Sequence, residues 1–230
     1  MLTWVPERAV FQRPRIAHGG AGIEWAGMES AHIFLVRHAR PLAAEGGFLG
    51  SSDVALGDQG QAQARALATW LRGRHTVKTL LCSPLARARQ TAESIAAALG
   101  MEPQYEEDLR EIDFGAWEGL SFAQAEQRDP ALVCRWLDDE AGFVFPGGEA
   151  IAAFHTRIAR IAERLHNLDA PLAVCHGGVI RALLCRWLAL PHSARLAFHP
   201  DHAALTVIRW HGETGVLQGF NQGPGGGIVG

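Results

Sequence analysis

Ile33-Phe34-Leu35-Val36 runs apolar without a break and halts at Arg37-His38. A short run that is apolar on both faces suits a central strand of a buried parallel sheet. Two more runs share the form: Leu80-Leu81-Cys82 halts at Ser83, and Leu172-Ala173-Val174-Cys175 halts at His176. Helical patterns separate them. Asp58 is expected to cap a helix from Gln59 to Arg72, with Gln61 at the capping-box position. Ser83 is expected to cap the next, with Pro84 at its first position and Gly100 just past its end. From Glu149 to His166, the residues Ile151, Phe154, Ile158, Ile161 and Leu165 form one apolar stripe. Gly177 to Leu190 is apolar almost all round and stops at Pro191, and Ala204–Trp210 with Val216–Phe220 reads as an edge hairpin. The alternation predicts an α/β fold: a three-layer α/β/α sandwich with a mainly parallel central sheet and an antiparallel edge strand.

The rest of the chain bounds this picture. Its 230 residues suit one large domain with a full core, and 48% hydrophobic with 20% charged residues is ordinary globular composition. A net charge of −3 gives no general attraction to nucleic acid or to an anionic membrane. Every long apolar stretch is interrupted by Arg, His, Gly or Pro, so no transmembrane helix is expected. Cys82, Cys134, Cys175 and Cys185 form no CxxC pair and no zinc framework. Three of them lie in apolar runs, as buried thiols of a reducing cytoplasm do. Residues 1–30 lack periodicity and read as a mobile N-terminal extension, with Met28 a candidate natural start. Residues 31–222 read as one domain, and the glycine-rich 223–230 as a flexible tail. Nothing in the sequence specifies an oligomeric state.

In parallel sheets ligands bind outside the carboxyl ends of the strands. The residues that end the apolar runs, Arg37, His38 and His176, are therefore expected at one site, with Arg87 in the first turn of the second helix. A cation at a helix N-terminus opposes the macrodipole, which makes sense beside an anion. Gly177-Gly178 opens another helix, and its free N–H groups also favour an anion. Two arginines, two histidines and two helix N-termini describe a phosphate site. Singly, each motif also fits a loop or turn residue.

Together these motifs resemble the histidine phosphatase superfamily, also called phosphoglycerate-mutase-like. The resemblance rests on Leu35-Val36-Arg37-His38, on Phe48 to Leu56, and on Ser83-Pro84-Leu85-Ala86-Arg87-Ala88-Arg89-Gln90-Thr91-Ala92. Leu109 to Gly119, Phe145-Pro146-Gly147-Gly148-Glu149 and His176-Gly177-Gly178-Val179-Ile180-Arg181 complete it, over about residues 32–210. It implies a phosphomonoester hydrolase for a small phosphorylated metabolite. His38 would be the nucleophile, and Arg37, Arg87, His176 and Gly177 would hold the phosphate. Glu111 would serve as general acid and base. Bound phosphate, a like charge, favours the protonated carboxyl that this role requires. An imidazole near its free pKa of about 6.5 is sufficiently neutral to attack. The resemblance implies no metal and no other cofactor, since arginines and histidines supply the positive charge.

Departures from the family pattern mark further candidates. Ala39 stands where Gly is usual, and Arg40-Pro41-Leu42 replaces the usual Thr and Asn contacts. Arg40, Ser51, Ser52 and His202 are candidate substrate contacts. Residues 119–148 are expected to form a cap whose Phe122, Trp136, Phe143 and Phe145 give aromatic cover. Trp117-Glu118-Gly119 with Phe145 to Glu149 is most similar in wording to α-ribazole phosphatases. Mutase-type phosphoryl transfer and a non-catalytic phosphate-binding protein are the alternatives. A serine esterase would need a G-x-S-x-G elbow, and Gly119-Leu120-Ser121-Phe122-Ala123 lacks its last glycine.

Overall fold

The computed structural model describes residues 30–43, 46–138, 142–212 and 214–224. Of the expected extension over 1–30, residues 1–29 lie outside the described residues and Ser30 belongs to β1 instead; of the expected tail over 223–230, residues 225–230 lie outside them. Strand β1 (Ser30–Arg37) is followed by α1 (Asp58–Leu71), β2 (Thr79–Cys82), α2 (Ala86–Leu99) and the short β3 (Gln104–Tyr105). Helices α3 (Phe122–Arg128), α4 (Pro130–Asp138) and α5 (Ile151–His166) come next. Then follow β4 (Pro171–Cys175), α6 (Gly177–Trp187), β5 (Leu205–His211) and β6 (Thr214–Gln222). The six strands form one sheet in the order β3-β2-β4-β1-β5-β6. The first four are parallel, and β5 and β6 make an antiparallel edge pair.

Strand alternation explains the three layers. Ile33 and Leu35 point into one core with Ala173 and Cys175, against α5, α6 and the aromatic residues of 112–145. Phe34 and Val36 point into a second core with Leu172 and Val174, against α1 and α2. A run that is apolar at every position is therefore what a sheet covered on both faces needs.

Helix boundaries depart from the sequence reading where side chains are drawn elsewhere. Helix α1 begins at Asp58, with Gly57 in the cap position and no side-chain cap. Asp58 instead places its charge in the first turn, where the dipole favours it. Helix α2 begins at Ala86 because the Ser83 hydroxyl lies 2.7 Å from His176 Nε2. The Ala86 N–H donates to Asp53 Oδ1 at 2.5 Å, so the cap comes from another loop. Gly100 ends α2 in the left-handed region as expected. Helix α6 stops at Trp187, three residues early. Ala189 turns left-handed at φ 51°, and Leu190 N–H donates to the Cys185 carbonyl at 2.9 Å, closing a Schellman turn. Ser121 caps α3 in a capping box with Gln124, so it forms no nucleophile elbow.

Candidate active site

The carboxyl ends of β1, β2 and β4 are locked together. His38 N–H donates to the Cys175 carbonyl and Ser83 N–H to the Val174 carbonyl, each at 2.9 Å. This brings the His38 and His176 rings to 5.0 Å between centroids. His38 Nδ1 lies 2.8 Å from the Ala39 carbonyl oxygen. A carbonyl only accepts, so Nδ1 carries the proton and Nε2 keeps its lone pair. Burial pushes the His38 pKa well below the usual imidazole value, and the Arg87 and Arg37 charges push it the same way. Sequence reading expected an ordinary histidine; the fold makes it a firmly neutral one. Ala39 is fully buried and has no positive φ, so the missing glycine costs no backbone strain. Its N–H donates to Thr91 Oγ1 at 3.0 Å, and Thr91 donates to the Arg87 carbonyl at 2.7 Å.

Arg37 and Arg87 flank this ring, and burial lowers both from their ordinary value against the opposing charge of Glu111. Arg37 Nη1 donates to the Pro200 carbonyl at 2.6 Å. Arg87 is fully buried and donates to the Ser52 carbonyl at 2.7 Å and the Gly50 carbonyl at 2.6 Å. Arg37 Nε, Arg87 Nε and His176 Nδ1 are buried without a hydrogen-bond partner among the described residues. Such atoms are uncommon, and these three belong to residues grouped around His38. His176 is also fully buried, and its pKa lies well below the usual value through burial and then Arg87.

Glu111 is buried beside the same helix terminus. Its carboxylate accepts the Gly178 N–H at 2.8 Å and its neighbour Ile112 N–H at 3.1 Å. A Cβ at Gly178 would come 2.4 Å from Glu111 Oε1, so glycine is what lets the carboxylate reach α6. Arg157 clamps the chain around it. Its Nη1 donates to the Asp108 carbonyl at 3.0 Å and the Arg110 carbonyl at 2.5 Å. Its other nitrogens grip Glu149 at 2.7 and 2.8 Å.

These groups open into a cavity of about 790 Å³ lined by Arg37, His38, Arg40, Glu111, Gly177 and His202, among others. Arg87 and His176 lie behind that surface, next to His38. His202 faces His38 at 5.1 Å between rings, and its Nδ1–H donates to the His38 carbonyl at 3.1 Å. Burial pushes its pKa down to about 4, with Arg37 the next cause. Ser51 and Ser52 are not brought to the cavity. Ser52 Oγ donates to Glu118 at 2.7 Å, and the Ser51 and Gly50 N–H groups donate to the same carboxylate at 2.9 and 3.1 Å. Of the cap aromatics, Phe122, Trp136 and Phe145 line the cavity, while Phe143 packs in the core.

Sequence reading missed Thr91, Glu118 and Arg157 as parts of this construction, and the acceptor role of Asp53 at the start of α2. The bonds that join them to the site run between residues 33 to 68 positions apart. Thr91, Glu118 and Asp53 carried a signal in their places within the quoted motifs, and Arg157 lay outside them.

Comparison with known proteins agrees with this geometry. The chain matches the Histidine phosphatase superfamily (branch 1) over residues 33–223. A Mycobacterium tuberculosis protein named as bifunctional is 33% identical over 195 residues, which are 82% of this chain and 53% of that protein. The chain thus spans about half the length of that relative. Phosphoserine phosphatase 1 of Hydrogenobacter thermophilus is 30% identical over 196 residues, covering 82% of this chain and 91% of its own. The alpha-ribazole phosphatase of Shigella flexneri superposes with a TM-score of 0.74 at 27% identity, over 83% of this chain and 96% of that one. On its motifs, its fold and these likenesses, the chain belongs to the histidine phosphatase superfamily, branch 1.

Proposed function

We propose that the protein is a phosphomonoester hydrolase working through a phosphohistidine. His38 Nε2 attacks phosphorus while the bond to the leaving oxygen breaks, and Glu111 gives that oxygen a proton. Water then attacks the phosphohistidine, Glu111 takes a proton from it, and inorganic phosphate leaves. Arg37, Arg87, His176 and the N–H groups at the start of α6 stabilise the phosphoryl oxygens in both steps. The observation that carries this reading is one ring: His38 holds its Nδ1 proton on a carbonyl and keeps Nε2 free between two guanidiniums.

The substrate is a small phosphorylated metabolite whose leaving group presents a ring or other apolar face, as α-ribazole does. The cavity wall of Phe48, Phe114, Phe122, Trp136 and Phe145 supports this, as does the name of the Shigella flexneri neighbour. The same charge set supports catalysis without a metal ion. The four cysteines are free thiols, which suits a cytoplasmic setting.

The test is a panel of phosphorylated metabolites, α-ribazole phosphate and phosphoserine included, with rapid acid or base quenching during turnover. Phosphate trapped on His38, and loss of both trap and turnover in His38→Ala, are expected. Unchanged turnover in that variant removes the reading. Mutase turnover of 3-phosphoglycerate, primed by a bisphosphate, that matches the best hydrolysis rate also removes it.

A further inference from the structure

Ser83 stands where the sequence wants a cap for α2, yet its hydroxyl is turned to the second histidine of the site. Ser83 Oγ lies 2.7 Å from His176 Nε2, and both residues are fully buried. Their backbones fix the contact. Ser83 N–H donates to the Val174 carbonyl at 2.9 Å, and the His176 carbonyl accepts the Ile180 N–H at 3.0 Å in the first turn of α6. Asp53 supplies the cap that α2 does not get from Ser83.

A hydroxyl beside a ring nitrogen can donate to it or accept from it. Counting protons decides between the two. Ser83 Oγ has one other partner among the described residues, the Leu85 N–H, which donates to it at 3.4 Å. Were Nε2–H to donate as well, the hydroxyl proton would have no acceptor in a fully buried position, and a buried unmade hydrogen bond is costly. When the hydroxyl donates to Nε2 instead, each of its functions is used. Burial and then the Arg87 charge hold the ring neutral. It therefore carries a single proton, which sits on Nδ1. That nitrogen is buried with no hydrogen-bond partner among the described residues, in a ring 5.0 Å from the His38 ring. With Nε2 taken by Ser83, Nδ1 is the ring nitrogen left for a ligand.

We infer that Ser83 is a positioning residue: it donates to His176 Nε2 and so fixes the ring in its Nδ1–H form, a neutral donor to a phosphoryl oxygen. The opposite tautomer would turn a lone pair on that oxygen and repel it. The inference rests on the phosphomonoesterase reading, in which His176 holds the phosphate. It adds that His176 acts through a hydrogen bond, while the arginines bring the positive charge.

Nitrogen NMR of protein with isotope-labelled histidine tests it, at neutral pH and without ligand, because protonated and unprotonated ring nitrogens give well-separated signals. The His176 signals are those missing from His176→Gln. A protonated Nδ1 and an unprotonated Nε2 are expected in the unsubstituted protein, and Nε2–H rings are expected to appear in Ser83→Ala. Vanadate affinity, measured by calorimetry so that turnover does not enter, should fall about three- to tenfold in Ser83→Ala. Made in the His176→Gln background, the same substitution should change it by less than about twofold, because Ser83 acts through the ring. A proton on Nε2 in the unsubstituted protein overturns the inference, whether or not Ser83→Ala folds. An unchanged tautomer in Ser83→Ala also overturns it, as does an equal loss of affinity in both backgrounds, the mark of a merely structural role. Trapping of phosphohistidine is followed separately in the unsubstituted protein. Its absence counts against the phosphatase reading, while the tautomer and the vanadate affinities still decide the role of Ser83.

Discussion

In the proposed mechanism His38 attacks only while Nε2 is unprotonated, and the fold favours that form by burial and by two neighbouring positive charges. The acid limb of kcat/KM that belongs to His38 is therefore expected well below pH 6.5, once the second ionisation of the ester near pH 6 is allowed for. An acid limb that follows an enzyme group near 6.5 contradicts this. Gly178 is the second decisive position. A methyl group there meets Glu111 Oε1. Gly178→Ala should lower kcat by about 10- to 100-fold for alkyl esters, since positioned acid–base catalysis contributes about 10²–10⁴. The loss should be much smaller for p-nitrophenyl phosphate, whose leaving group needs little proton assistance. Equal losses for both ester types would mean that Glu111 does not protonate the leaving oxygen. His38, Arg37 and His176 were legible because each ends an apolar run. The firm neutrality of His38 was not, because it comes from burial by the folded chain and then from Arg87, 49 positions away.

Two carboxylates organise whole segments around the site. Glu118 accepts from Gly50, Ser51, Ser52 and also Phe114, and the carbonyls of that 50–52 loop are what hold Arg87. Glu118→Ala should raise KM and lower kcat together, at least tenfold in kcat/KM, as Arg87 loses its fixed direction. Glu118→Gln should recover part of this, since one amide oxygen still accepts. Full activity in the Ala variant would show that Arg87 is held by other means. Glu149 and Arg157 do the same for Glu111. Their side chains are 18% and 11% exposed, so Arg157→Ala leaves a largely buried carboxylate alone. The expected loss is about 3 kcal/mol of stability, read by denaturant unfolding, with kcat also reduced. The stripe of α5 was readable from its period, and Ile151, Phe154, Ile158, Ile161 and Leu165 are all buried. The polar clamps were not, because a charged residue between apolar ones looks the same whether it meets water or a carbonyl from another loop.

Three histidines at one site, His38, His176 and His202, have pKa values lowered by burial, His202 to about 4. In the unfolded chain each titrates near 6.5. As pH falls below that value the unfolded chain takes up protons that the folded protein refuses. Stability should then fall with pH, by up to about 1.4 kcal/mol per unit for each histidine, until the folded-state value is reached. Above about pH 7 these rings should contribute no slope. Urea midpoints between pH 4.5 and 8 check this, and replacing His202 by Gln should flatten the acid side. Chelation with EDTA should leave turnover intact, while vanadate should inhibit. No helix among the described residues is long and apolar enough to cross a membrane. The layered architecture followed from local pattern, because a strand buried on both faces must be apolar at every position and must stop where polar side chains are needed. That property is written in consecutive residues. The neutrality of His38, the aim of Arg87 and the reach of Glu111 depend on contacts between residues 35 to 67 positions apart. Those contacts exist only after β1, β2 and β4 pair, so the fold alone sets the charges and hydrogen bonds that turn these side chains into a site.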